Sequence, residues 1–159
     1  MYSLLLRWLS LMSLIITVTT SSFSTRSESW LPPLHEPLQV QRTFDLSQGE
    51  YQAGHRGIDL QSRPGTMIRS PVAGTVKFVG TVAQKPVLTI EVNAHTLLSF
   101  EPMTSDLRAG DRVARGQPIG QVSAGGHCEN RCLHIGVRIH GEYVNPLRFF
   151  WAKPVLLPW

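Results

Sequence analysis

The sequence predicts a small all-β domain, a compact antiparallel sandwich or barrel, and three observations carry that expectation. The 159 residues include 13 Gly and 11 Pro among many Val, Ile and Thr, a composition that suits short strands joined by tight turns. Short apolar runs recur with turn residues between them. Outside the N-terminal segment, no stretch sustains the 3.6-residue periodicity of an amphipathic helix. Apolar residues make up 42% and charged residues 16%, which excludes both a charge-rich disordered chain and a helical bundle. The net charge of +4 is small and scattered, and without a Lys/Arg cluster or an aromatic–basic stripe it excludes nucleic acid as a partner.

Taken in chain order, residues 1–24 read as an export signal. Arg7 supplies the positive start, Trp8 to Val18 (WLSLMSLIITV) is the apolar run, and Thr17 to Ser24 (TVTTSSFS) offers small residues for cleavage. A membrane-spanning helix needs about 20 apolar residues and this run is shorter, so no stable membrane span is expected once the signal is removed. No Cys follows the run, which argues against a lipid anchor. The remaining chain of about 135 residues suffices for one domain with a modest core. Residues 25–40, containing RSESWLPPLHEP, read as a polar, Pro-interrupted linker. The domain itself is expected over 41–147.

Within it, Gly74–Val79, Val87–Val92, Leu97–Phe100, Ile119–Val122 and Leu133–Ile139 read as strands. They are separated at Pro71, Gly80, Pro86, Asn93, Gly110, Gly116, Gly125 and Gly126. Thr43–Ala53 is expected to wall a substrate groove. The apolar tail, 148–159, is expected to pack on the domain in a chain that is a monomer.

The segments IRSPVAGTVKFV and LRAGDRVARGQPIGQV have a related look, and their pairing resembles the barrel-sandwich hybrid of lipoyl and biotinyl carriers. Neither lysine suits a carrier's modified position. Lys77 lies inside an apolar run, and Lys85 lacks the flanking Met or Asp-Ala residues.

Chemistry concentrates in two places. In GHRGIDL, His55 and Asp59 stand four apart around Gly57, whose freedom lets an imidazole and a carboxylate converge without a helix. In CLHIGVRI, strand alternation puts Cys132 and His134 on one face and Leu133 on the other. His55, Asp59 and His134 together would give zinc three protein ligands and leave a fourth position for water, the pattern of a catalytic site. Cys128 and Cys132 in GGHCENRCLH close a small loop. The alternative is a zinc site from His127, Cys128, Cys132 and His134, but four ligands within eight residues are cramped, and the disulfide is the expectation.

These motifs, GHRGIDL, RPGTMIRSPVAGTVKFVG, AGDRVARGQPIGQV and LHIGV, occur in one order over residues 50 to 147 and resemble the lysostaphin/LytM-like zinc endopeptidases, which cut peptide cross-links in bacterial cell walls. The resemblance implies that His55, Asp59 and His134 hold one Zn²⁺. It also exposes two departures. The family's closing His-x-His has Cys132 in place of its first, assisting His, and LSFEPM puts Pro102 where a second assisting His belongs. His127 and Glu101 are the candidate catalytic substitutes, with His95 a weaker one. The expected function is a secreted, cell-wall-associated zinc metalloendopeptidase acting on peptidoglycan peptides. The alternative is an inactive LytM-like module that binds cell wall or activates another hydrolase.

Overall fold

A computed structural model describes residues 29–34, 37–46 and 54–151; the expected export signal, the tail beyond 151 and the 47–53 part of the expected groove wall lie outside the described residues. The described residues form eleven strands and one short helix. The strands are β1 (Val40–Arg42), β2 (Ile58–Gln61), β3 (Met67–Arg69), β4 (Gly74–Val82), β5 (Lys85–Asn93), β6 (Thr96–Glu101), β7 (Met103–Thr104), β8 (Arg112–Val113), β9 (Pro118–Val122), β10 (Cys132–Ile139) and β11 (Glu142–Val144). The helix is α1 (Leu147–Phe150).

All pairings are antiparallel. One sheet runs β1-β2-β10-β6-β5-β4-β8, with β11 continuing the β2 side of β10, and a three-stranded sheet runs β3-β9-β7. All five runs expected as strands are strands, within β4, β5, β6, β9 and β10.

Two features depart from the expected punctuation. Gly80 and Pro86 lie inside β4 and β5 rather than between them. The hairpin turns instead at Ala83 and Gln84, with φ of 47° and 66°. Positive φ at two successive turn residues is the twist that matches a two-residue hairpin, and it is usually supplied by Asn-Gly or Asp-Gly.

Alternation along the central strands separates core from site. Ile58 and Leu60 of β2, Leu98 and Phe100 of β6, Leu88 and Ile90 of β5, and Leu133, Ile135 and Val137 of β10 are fully buried in one cluster. Ile68, Ile119 and Val122 of the small sheet close the same core. On β2 and β10 the intervening residues are Asp59, Cys132 and His134, which therefore face away from it.

The described part of the expected linker packs on the domain. Trp30 is 8% exposed; its ring stacks on Phe149 at 4.3 Å and meets Phe150 edge-on at 6.0 Å. Trp30 N–H donates to Phe149 O at 2.8 Å, Leu31 N–H to Pro71 O at 3.0 Å, and Arg69 N–H to Pro33 O at 2.8 Å. Burying one indole outweighs the polar, Pro-rich context around it. The start of the tail is the other half of this clamp, with Phe150 buried in α1. No helix among the described residues is long and apolar enough to cross a membrane.

Trp30→Ala is expected to lower the unfolding free energy by about 3 kcal/mol, the cost of truncating a buried aromatic. Urea unfolding followed by circular dichroism measures it, and a loss near zero would mean that the segment hangs free of the domain.

Candidate metal centre

β2 and β10 are paired so that Asp59 lies opposite His134, and opposed residues of an antiparallel pair project to the same side. His55 reaches the same point from the loop before β2. Its backbone makes a two-bond bridge with Asp45, N–H to O at 2.7 Å and back at 2.9 Å. Its ring is anchored from behind, where Nδ1–H donates to Thr43 O at 2.7 Å. Gly57 leaves the room this needs. A Cβ there would collide with the Ile135 carbonyl and sit 2.6 Å from two atoms of the His134 ring.

Three donor atoms converge as a result. His55 Nε2 stands 3.0 Å from Asp59 Oδ1 and 3.2 Å from His134 Nδ1, and His134 Nδ1 stands 2.8 Å from the same Oδ1. His55 and Asp59 are buried, at 5% and 3% exposure.

The proton inventory shows what the cluster suits. Because His55 gives its Nδ1 proton to Thr43, its neutral ring presents a lone pair at Nε2, aimed at a carboxylate oxygen that also only accepts. A single N–H on His134 is left to serve both of those acceptors. A cation among the three atoms removes the conflict. Two imidazole nitrogens and one carboxylate oxygen are zinc donors, and their separations approach the edge of about 3.3 Å expected for tetrahedral ligands at zinc bond lengths. The residues fit the metal.

His127 joins from the loop between β9 and β10. Its Nε2–H donates to the second oxygen of the same carboxylate, Asp59 Oδ2, at 2.8 Å, and its side chain is 30% exposed. Its ring stands 5.3 Å from that of His134 and 5.9 Å from that of His55. The metal-capable atoms of His55, Asp59, His127 and His134 all lie within 4.8 Å of one another.

The remaining sequence candidates fall elsewhere. Glu101 is opposite His134 across β6 and β10, but Lys85 Nζ holds its carboxylate at 3.0 Å and it is outside the cluster. His95 stacks on His140 at 4.3 Å and is likewise outside it. Cys128 and Cys132 form the expected disulfide.

Pro102 is buried against Gly126, where a Cβ would come within 3.0 Å of its ring. The Lys85 pairing is what the sequence reading missed. Its signal is weak, because 16 residues and a hairpin separate the two charges.

Burial alone would raise the Asp59 carboxyl. The hydrogen bonds from His134 and His127, together with the charges that His55 and His127 carry when protonated in acid, override it and bring the pKa from 3.8 to about 2.

Residues 53–146 match the model described as Peptidase family M23. The uncharacterised protein Rv2891 of Mycobacterium tuberculosis is 34% identical over 131 residues, covering 79% of this chain and 53% of that protein. The murein hydrolase activator NlpD of Escherichia coli is 30% identical over 129 residues, covering 79% of this chain and 32% of that one. Among solved structures, a mutant of the catalytic domain of the prophage-encoded M23 protein EnpA from Enterococcus faecalis aligns with a TM-score of 0.63 at 25% identity, covering 74% of this chain and 95% of that one. The chain thus spans about half the length of the first of these curated relatives and a third of the second.

In the metal-free protein, the lowered Asp59 pKa stabilises the fold fully above the unfolded value of 3.8, and that contribution is lost as pH falls through about 2. Stability of the wild type should therefore rise with pH across this window. Asp59→Asn should flatten the rise, as read by tryptophan fluorescence along an acid titration.

Proposed function

The chain belongs to peptidase family M23, and on that premise we propose that it is an exported zinc metalloendopeptidase that cleaves peptide bonds in bacterial peptidoglycan. The observation that carries the proposal is the convergence of His55 Nε2, Asp59 Oδ1 and His134 Nδ1 on one point, with acceptors facing acceptors. These three residues would hold the zinc. When bound, zinc supplies Lewis acidity, polarising a carbonyl oxygen and making water more acidic.

The chain's own groups do the rest. Thr43 O fixes the tautomer and the ring angle of His55, the second-shell role that orients a ligating imidazole. Asp59 stays ionised and gives one oxygen to the ligand cluster and the other to His127. His127, partly open to solvent, is the imidazole at the mouth of the site. It is placed to move a proton or to steady negative charge that develops on a substrate oxygen. We assign it the work of the assisting histidines that Cys132 and Pro102 replace. Glu101, engaged by Lys85, is left a charge-balancing part in the wall beside His134.

The leader at 1–24 and the Cys128–Cys132 disulfide both support an oxidising compartment outside the cytoplasm. Peptidoglycan is the substrate class that the family and the similarity to NlpD support.

A second reading, a module that binds the wall or activates another hydrolase without cutting, is favoured by one observation. The positions of both assisting histidines are filled by groups that transfer no proton, a proline and a disulfide sulfur.

Metal analysis and amine release from purified wall separate the two. The mature protein is expected to carry about one zinc per chain and to release new amines, and His55→Ala to lose both. Zinc without amine release would establish the module instead, and no zinc would overturn the metal centre. His127→Ala is expected to keep its zinc while losing about a hundred- to a thousandfold in turnover, the usual cost of one transition-state donor.

A further inference from the structure

We infer that reducing the Cys128–Cys132 disulfide creates a second metal site, formed by Asp59, His127, Cys128 and Cys132, which competes with the His55, Asp59 and His134 set through their common carboxylate. The metal-capable atoms of these four residues all lie within 4.8 Å of one another, so once the bond is cut the two sulfurs need only swing apart, to the roughly 3.7 Å that separates two thiolates on one tetrahedral zinc. While bonded, the sulfurs carry no charge and are poor ligands; as thiolates they are strong ones.

The step balances. A dithiol reductant attacks one sulfur, passes through a mixed disulfide and leaves as its own disulfide, delivering two electrons and two protons to the cysteines. A divalent metal then displaces both thiol protons.

Three features keep the sulfurs together after the bond is cut. Cys132 is held in β10 opposite Gln61 of β2. Arg131 N–H donates to Cys128 O at 3.0 Å across the loop, and Gly125 N–H donates to Asn130 Oδ1 at 2.6 Å at its base. The Cα atoms of the two cysteines stand 5.8 Å apart.

Asp59 couples the two sets. Oδ1 faces His55 and His134, and Oδ2 accepts from His127. Two thiolates, an imidazole and a carboxylate complete four-coordination with no open position, the composition of a structural rather than a catalytic zinc site. On the reading that the first set is the catalytic centre, reduction draws the metal into the closed set and silences the enzyme. A disulfide oxidant reverses the exchange, taking up two electrons as it becomes a dithiol; the Cys128–Cys132 bond re-forms and the metal returns to the open set.

Cobalt(II) alone, a spectroscopic stand-in for zinc, tests this without reference to activity. His55→Ala removes a donor from the first set only, and the Cys128→Ser, Cys132→Ser double variant removes two from the second only. After treatment with a dithiol and its removal, wild type and His55→Ala are each expected to bind about one cobalt per chain, with sulfur-to-cobalt charge-transfer absorption and loss of both titratable thiols. Oxidised wild type is expected to bind cobalt without that absorption, and oxidised His55→Ala to bind none. Reduced wild type and reduced His55→Ala that take up no cobalt, or take it up with both thiols still reactive, would overturn the inference. Oxidised wild type that binds no cobalt would overturn the first metal centre instead. The wild-type chain compared in its two redox states carries the test whether or not a variant folds.

Discussion

The pairing of Asp59 with His134 across β2 and β10 is the constraint on which the rest of the molecule depends. Side chains alternate along a strand, so this one register decides both what enters the core and what forms the site. Ile58, Leu60, Leu133 and Ile135 are buried because they flank the two polar residues in sequence. A slip of one residue on either strand would drive a carboxylate or an imidazole into hydrocarbon and bring leucines to the surface. Hydrophobic burial therefore holds the donors in place more firmly than any contact between them does. The site needs no helix for the same reason, since a rigid sheet brings together residues 75 positions apart in the chain.

Asp59 is the centre of the polar side. One carboxylate receives His134 on Oδ1 and His127 on Oδ2, and it faces His55 as well. Such a group is costly to bury alone, and its lowered pKa records how strongly its neighbours favour the charged form. His134 and His127 can satisfy that anion as donors, but the Nε2 lone pair of neutral His55 then faces the same oxygen, a conflict that a cation there would remove. The same carboxylate also lies within reach of the two bonded cysteines.

Much of this was legible in the sequence because it rests on short periods. GHRGIDL and CLHIGVRI each state which residues share a face, and the glycines mark where backbone must come close, as the Gly57 contact with Ile135 and His134 bears out. The strands were legible for the same reason. What escaped depends on partners far away in the chain. The Ala83–Gln84 turn takes left-handed backbone without Gly or Asn, because the β4 and β5 ladder on either side imposes it. Trp30 sits in a stretch that composition alone reads as a linker, and its partner Phe149 is at the other end of the domain. Glu101 was a plausible base until Lys85 arrived beside it through the β5–β6 pairing. His127 was nameable, but its contact with Asp59 Oδ2 depends on the path of a loop that no pattern encodes.

That path connects the two departures from the family's motif. Pro102, which the family resemblance sets where an assisting histidine is expected, packs its ring against Gly126, the residue immediately before His127. Gly126 has φ of 78°, and a Cβ there would press on the Pro102 ring at 3.0 Å, so the backbone of the loop rests closely on the proline. Ser123 N–H donates to Pro102 O at 3.1 Å and fastens the start of the same loop. On the other side, Cys132, where the resemblance expects the other assisting histidine, ties the loop to β10 through Cys128, the residue immediately after His127. Pro102 and Cys132 are therefore the two supports of the segment that carries His127. A proline and a disulfide contribute no proton chemistry of their own, but together they fix where His127 can stand. The contact on Gly126 and the bond at Cys128 flank His127 on both sides, so proline, disulfide and imidazole form one connected unit rather than three independent features.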